Sequence, residues 1–146
     1  MFWSDFISIF IAAILGAIIG LEREFHHKPA GLRTNILICI GAAVFTIISK
    51  QMPFGTDDSI TRIASGIVTG VGFLGAGAII QDRGGIHGLT TAASIWLVSS
   101  VGMACGTGLY KIAIFTTFIT VFVLITLTKL PKPFRHNTWD DKNKAD

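Results

Sequence analysis

The sequence predicts an all-α polytopic membrane protein, a bundle of five transmembrane helices with its N-terminus outside and its C-terminus in the cytoplasm. Three observations lead there. A bilayer core of ~30 Å takes about 20 helical residues at ~1.5 Å rise each, and five apolar stretches fit that length: Phe2–Leu21, Asn35–Met52, Ile63–Ile80, Leu89–Cys105 and Leu109–Leu130. Hydrophobic residues make up 51% of the chain and charged residues only 14%, against about a quarter charged in a soluble domain. Finally, placing the C-terminal tail in the cytoplasm puts nine of the twelve Lys and Arg residues inside, as the positive-inside rule requires. The polar remainder is too small for a separate soluble core, so the lipid bilayer is the first partner. The net charge of +3 sits in loops and tail, not along one helix face, so no nucleic-acid partner is expected.

Each element has its own signals. The first stretch contains Ile7–Ile19, an apolar core of signal-peptide length. No basic residue precedes it, and Glu22-Arg23-Glu24 follows without a small-residue cleavage site, which favours a retained span. Cys39 in the second span and Cys105 at the end of the fourth read as small packing residues; their spacing makes neither a disulfide framework nor a zinc site. Met52–Ser59, with Pro53, Gly55, Asp57 and Asp58, reads as a turn-rich outer loop. Gly106-Thr107-Gly108 is a tight hairpin that makes the fourth and fifth spans antiparallel neighbours. Pro131-Lys132-Pro133 ends the last span. Residues 1–130 are therefore expected to form the membrane domain, and residues 131–146 a short polar tail, disordered and held near the anionic inner leaflet by its basic residues.

Glycine is concentrated in the spans. Gly16–Gly20, Gly66–Gly70 and Gly102–Gly106 each match G-x-x-x-G, the spacing that lets helix backbones approach where lipid supplies no hydrophobic drive for association. The third span is richest, which suggests a central helix with Gly66, Gly70, Gly72, Gly75 and Gly77 against neighbouring backbones, or else a locally unwound one. Gly70-Val71-Gly72-Phe73-Leu74-Gly75 also fits the dinucleotide fingerprint, but that motif needs a strand–turn–helix unit that a membrane span cannot provide.

Charged groups near hydrocarbon are usually paired or functional. Asp5 and Arg62 flank helices at the same outer depth and are expected to form an ion pair. Glu22 with Arg33 is expected to brace the first inner loop. The inner face also collects Arg23, Glu24, His26, His27, Lys28, Asp82, Arg83 and His87. Glu22 and His26 stand one helical turn apart, yet two ligands beside Arg23 are too few for a tight metal site, and magnesium would prefer oxygen ligands. No metal site is assigned. Thr90, Thr91, Ser94, Ser99 and Ser100 make the fourth span the most polar, but no Ser–His–carboxylate arrangement accompanies them, so no catalytic residue is assigned. The candidate functional residues are Glu22, Arg23, Arg33, Arg62, Thr90 and Thr91. Of these, Arg33 can bind a carboxylate or phosphate bidentately and Thr90 can cap the fourth helix or contact a ligand.

Several segments together resemble one family: Gly20-Leu21-Glu22-Arg23-Glu24, Lys28-Pro29-Ala30-Gly31-Leu32-Arg33-Thr34, Arg62-Ile63-Ala64, Gly72-Phe73-Leu74-Gly75-Ala76-Gly77 and Gly88-Leu89-Thr90-Thr91-Ala92-Ala93. In this order, over about residues 12–111, they are similar to the MgtC/SapB family of bacterial inner-membrane proteins. The resemblance implies a five-span domain with an outer N-terminus, a link to growth in low magnesium and to survival of some pathogens inside host cells, and inhibition of the proton-translocating ATP synthase, with no catalysis and no cofactor. Two features depart from it. Ser65-Gly66 stands where the family usually has a Gln, and the sequence ends about 16 residues after its last span, leaving no room for the C-terminal ACT-like domain of the virulence members. Two readings follow: a non-catalytic regulator that binds other membrane proteins, or a small transporter or channel for magnesium or another ion, acting as a homo-oligomer.

Overall fold

The computed structural model describes residues 2–52, 57–82 and 85–128. Five helices form a bundle: α1 (Phe2–Phe25), α2 (Leu32–Gln51), α3 (Asp57–Gly77), α4 (Leu89–Thr107) and α5 (Tyr110–Thr128), with a short hairpin, β1 (Ile80–Asp82) and β2 (Gly85–His87), between α3 and α4. Among the described residues, α1, α2, α4 and α5 are long and apolar enough to cross a membrane. The chain is thus a multi-pass membrane protein. Large apolar side chains such as Trp3, Phe10, Phe73, Phe115, Phe118 and Phe122 face outward, as lipid-facing surface does.

The third apolar stretch differs most from its expected form. Its helix begins at Asp57, so the helix takes in the end of the expected Met52–Ser59 loop; residues 53–56 lie outside the described set, as does the expected tail at 131–146. The helix also stops at Gly77 rather than Ile80. The N–H groups of Ala78 and Ile79 donate to the carbonyls of Gly75 and Ala76, both at 3.1 Å, tightening the last turn to 3₁₀ form. Ile80 then pairs with His87 in the antiparallel hairpin. Gly88 returns the chain to α4 with φ 86°, and a Cβ there would collide with the Ala78 carbonyl oxygen. Only glycine meets both demands.

At the other end of α4 the expected hairpin forms. Gly108 adopts φ 86°, its N–H donates to Cys105 O (2.9 Å) and the Leu109 N–H to Ala104 O (2.8 Å). That double bond pattern closes a helix at a left-handed glycine, and α5 then runs back against α4.

Close helix packing is concentrated on α2. A Cβ at Gly16 would stand 2.8 Å from Cys39 Cβ, and one at Gly20 would stand 2.8 Å from Leu32 Cα, so α1 lies directly on the α2 backbone. Further along the same face of α2, a Cβ at Gly102 would collide with Cys39 O, and one at Gly106 would stand 2.6 Å from Ala43 O. Two of the three G-x-x-x-G motifs therefore set α1 and α4 against the α2 backbone, the two meeting at Cys39, and α4 in turn touches every other helix. The core between them holds Ala12, Leu15, Ile19, Cys39, Ala43, Val98, Val101 and Cys105. Both cysteines are buried and free.

The glycine-rich α3 is not the central helix. A Cβ added at Gly66, Gly70, Gly72 or Gly77 would meet nothing within 4 Å, and one at Gly75 would make ordinary contact with Ala92 at 3.6 Å. The expectation that all five glycines lie against neighbouring backbone fails within this chain, because α2 and α4 already fill each other's small-residue grooves and α3 is left at the side. Overpacking a close-packed core costs about 1–3 kcal/mol. Gly102→Ala should therefore lower thermal stability in detergent by about that amount, while Gly72→Ala should leave it unchanged or slightly raised; thermal unfolding of the two variants checks the contrast.

Candidate functional site

The two ends of the bundle carry different polar chemistry. At one end Gln51 Nε2 donates to Asp5 Oδ2 (2.6 Å), Lys50 Nζ donates to Thr107 O (3.4 Å), and the Ser8 and Tyr110 hydroxyls are 2.8 Å apart. The expected Asp5–Arg62 pair is not formed: the Asp5 carboxylate is taken by Gln51, and among the described residues no ion pair reaches Arg62. The cause is the helix order, since α1 packs along α2 rather than α3. Arg62 instead lines a groove between α2 and α3.

The opposite end holds a buried polar centre. Glu22 is 7% exposed, Arg23 4%, Thr91 3% and Asn35 0%. Arg23 Nη2 donates to Thr91 Oγ1 at 3.1 Å, which ties the C-terminal end of α1 to the first turn of α4. Arg23 Nη1 lies 3.9 Å from Glu22 Oε2, while Glu22 Oε1 faces His26 Nδ1 at 3.2 Å. That same ring nitrogen is 2.9 Å from the Glu22 carbonyl oxygen. Arg23 Nε and Glu22 Oε2 have no hydrogen-bond partner among the described residues. A buried charge pair in this state is costly unless hydrogen bonding satisfies the rest of its capacity, so this is the most polar and least settled point inside the bundle.

The loop between α1 and α2 is built around the same centre. The Lys28 N–H donates to Arg23 O and the His27 N–H to Glu24 O, both at 3.0 Å, closing α1. His27 and Ala30 take positive φ (50° and 57°). The Glu24 carboxylate then receives the Leu32 N–H at 3.0 Å, capping α2 from eight residues upstream. Gly31 passes so close to Glu24 Oε2 that a Cβ would collide with it. Asn35 donates from Nδ2 to the carbonyls of Ala30 and Gly31, which fixes the loop from within the helix it leads into.

The six candidate residues therefore divide. Glu22, Arg23 and Thr91 come together and are buried; Arg33, Arg62 and Thr90 are exposed. Thr90 and Thr91 are successive helical positions, about 100° apart around the axis, so one faces inward and the other outward. Glu22 does not pair with Arg33, because Glu22 points at His26 and Arg23; Glu24 and Asn35 brace the loop instead. Asn35 was the missed member. Its signal was a lone amide at the start of an otherwise apolar run. The centre offers a metal only one buried carboxylate and one imidazole beside a guanidinium, and among the described residues no group of three His, Cys, Asp or Glu side chains converges.

Comparison with known proteins follows the same residues. The profile of the MgtC family matches residues 9–132. The chain is 44% identical over 119 residues to the protein MgtC of Brucella abortus (strain 2308), covering 82% of this chain and 49% of that one. It is 43% identical over 127 residues to YhiD of Escherichia coli (strain K12), whose name proposes it as a magnesium transporter, covering 81% and 58%. With the protein MgtC of Salmonella typhimurium (strain LT2) it shares 43% identity over 121 residues, covering 83% and 51%. The chain thus spans about half the length of the curated relatives it matches. No solved structure matches it.

Breaking a buried ion pair from one side costs about 3–5 kcal/mol, because the remaining charge is stranded. Arg23→Gln should therefore lower unfolding stability in detergent by about 3 kcal/mol, and adding Glu22→Gln should recover part of the loss. Arg33→Gln, at an exposed position, should change it by no more than about 0.5 kcal/mol. Denaturant titration of the three variants makes the comparison.

Proposed function

This chain belongs to the MgtC family, and from that premise we propose that it is a bacterial inner-membrane protein of magnesium homeostasis. In this reading it acts as a non-catalytic regulator of other membrane proteins, with the ATP synthase as the partner the family resemblance implies. It crosses the membrane five times, α3 included, with its N-terminus outside. The distribution of twelve basic residues supports that orientation, and the relatives' names support the magnesium link.

The observation that carries regulation over transport is the chemistry of the helix interiors. No Asp, Glu, Lys or Arg occurs in residues 6–21, 34–49, 63–81, 84–110 or 112–128. An ion relay through hydrocarbon depends on ionisable groups at depth. Several of the hydroxyls found there turn back on their own helices: Thr46 to Ala42 O, Ser94 to Thr91 O, Thr117 to Ala113 O and Thr120 to Thr116 O, at 2.6–2.9 Å. Such bonds satisfy the hydroxyl locally and leave it less free to solvate a passing ion. Among the described residues the buried charges are confined to one end, at Glu22 and Arg23. Transport by an oligomer is the second reading, favoured by the name of the Escherichia coli relative.

One preparation separates the two. Proteoliposomes holding this protein alone should show no magnesium flux above protein-free vesicles. Vesicles that also contain ATP synthase should show slower ATP-driven proton pumping than those without this protein. Saturable magnesium uptake by the protein alone, with pumping unaffected, would replace the regulator with a transporter.

A further inference from the structure

Between α2 and α3 lies a groove of about 790 Å³ lined by Leu37, Gly41, Phe45, Gly66, Gly70 and Arg62, among others. We propose that this groove binds an anionic phospholipid of the bilayer, with an acyl chain along its glycine-lined wall and the phosphate on the Arg62 guanidinium. Three features of the groove carry this.

The first is that the groove is open because of glycine. A Cβ at Gly41, Gly66 or Gly70 would meet nothing within 4 Å, and none of the three has the positive φ that would require glycine. Glycine inside a helix is less stable than alanine by about 0.5–1 kcal/mol. Elsewhere in this bundle glycine admits a neighbouring backbone, as at Gly16 and Gly102. Here it admits nothing from the chain itself and leaves a channel along the helix pair.

The second is the chemistry of the lining. Arg62 is its one charged residue, and every other lining residue is apolar or glycine. Such a surface suits hydrocarbon and repels a hydrated ion. The third is the position of Arg62, which lies five residues into α3 and so about 7.5 Å along the helix axis from Asp57. Among the described residues it has neither a hydrogen bond nor an ion pair. A guanidinium near a helix end, without a partner among the described residues and beside hydrocarbon, is matched by a phosphate that it can hold in a bidentate manner. An amphiphile with one negative head and a long apolar tail fits both parts of the groove at once. A partner helix would fill the apolar part but would have to bring its own carboxylate to Arg62.

The test uses the full chain reconstituted in bicelles of equal phosphatidylglycerol and phosphatidylcholine, followed by native mass spectrometry of the released protein. The wild type should retain phosphatidylglycerol over phosphatidylcholine with a preference on the order of tenfold, the ratio expected for one charge-assisted contact. Arg62→Gln should abolish the preference, Arg62→Lys should keep part of it, and Arg33→Gln should leave it intact. Gly70→Leu, which fills the groove, should reduce retention of both lipids while thermal stability stays at the wild-type value. Equal retention of the two lipids by the wild type would overturn the proposal. So would an unchanged preference in Arg62→Gln, or release of a dimer whose retention depends on Gly70 in place of lipid. If Arg62→Gln does not fold, the Arg62→Lys and Gly70→Leu results still decide it.

Discussion

The bundle depends on the close approach of α1 and α4 to the backbone of α2. In lipid, apolar side chains gain nothing by leaving the hydrocarbon, so helices associate through contact area and backbone proximity. Gly16 and Gly20 bring α1 onto α2 from Leu32 to Cys39, and Gly102 and Gly106 bring α4 onto it from Cys39 to Thr46. Cys39 at 0% exposure sits where all three helices meet, which explains a small, nonpolar thiol at that point. With these contacts made, the remaining elements are placed by connection: α5 folds back on α4 through Gly108, and α3 reaches α4 through the hairpin and Gly88.

The same approach creates the polar centre. Bringing the end of α1 against the start of α4 buries Arg23 beside Thr91 and carries Glu22 in with it. The geometry leaves the Glu22–Arg23 contact at 3.9 Å, longer than a hydrogen bond, with capacity unused on both side chains. Breaking this centre would loosen the joint between α1 and α4 without touching the apolar core. The opposite end is held by hydrogen bonds alone, Asp5–Gln51 and Lys50–Thr107 at its surface and Ser8–Tyr110 partly buried.

Much of this was readable from residue order. Hydropathy located five helices, and turn chemistry located Gly106–Gly108. The family resemblance came from motifs that the structure places at bends and contacts: Glu24 caps α2 across Gly31, and Gly88 turns the chain beside Ala78. What could not be read was which side of each helix faces its neighbour. A helix that is apolar all round carries no amphipathic stripe to orient it, so nothing in the spacing distinguished Arg23 from Arg33, Thr91 from Thr90, or a glycine against backbone from one beside open space. The same ambiguity misassigned the partner of Asp5, because the depth of a charge follows from sequence and its azimuth does not. The β1–β2 hairpin escaped because Ile79 and Ile80 extend an apolar run past the point where Gly75 and Gly77 weaken the helix.

The placement of α1 and α4 on α2 is tested most directly by cross-linking in native membranes with a short bifunctional maleimide, in a background carrying Cys39→Ala and Cys105→Ala. Asp5→Cys combined with Gln51→Cys, and Lys50→Cys combined with Thr107→Cys, should each be joined within one chain, because the Gln51 amide reaches the Asp5 carboxylate and the Lys50 ammonium reaches the Thr107 carbonyl at one end of the bundle. Failure of both pairs, with Asp5→Cys linking to Arg62→Cys instead, would contradict the helix order on which this account rests.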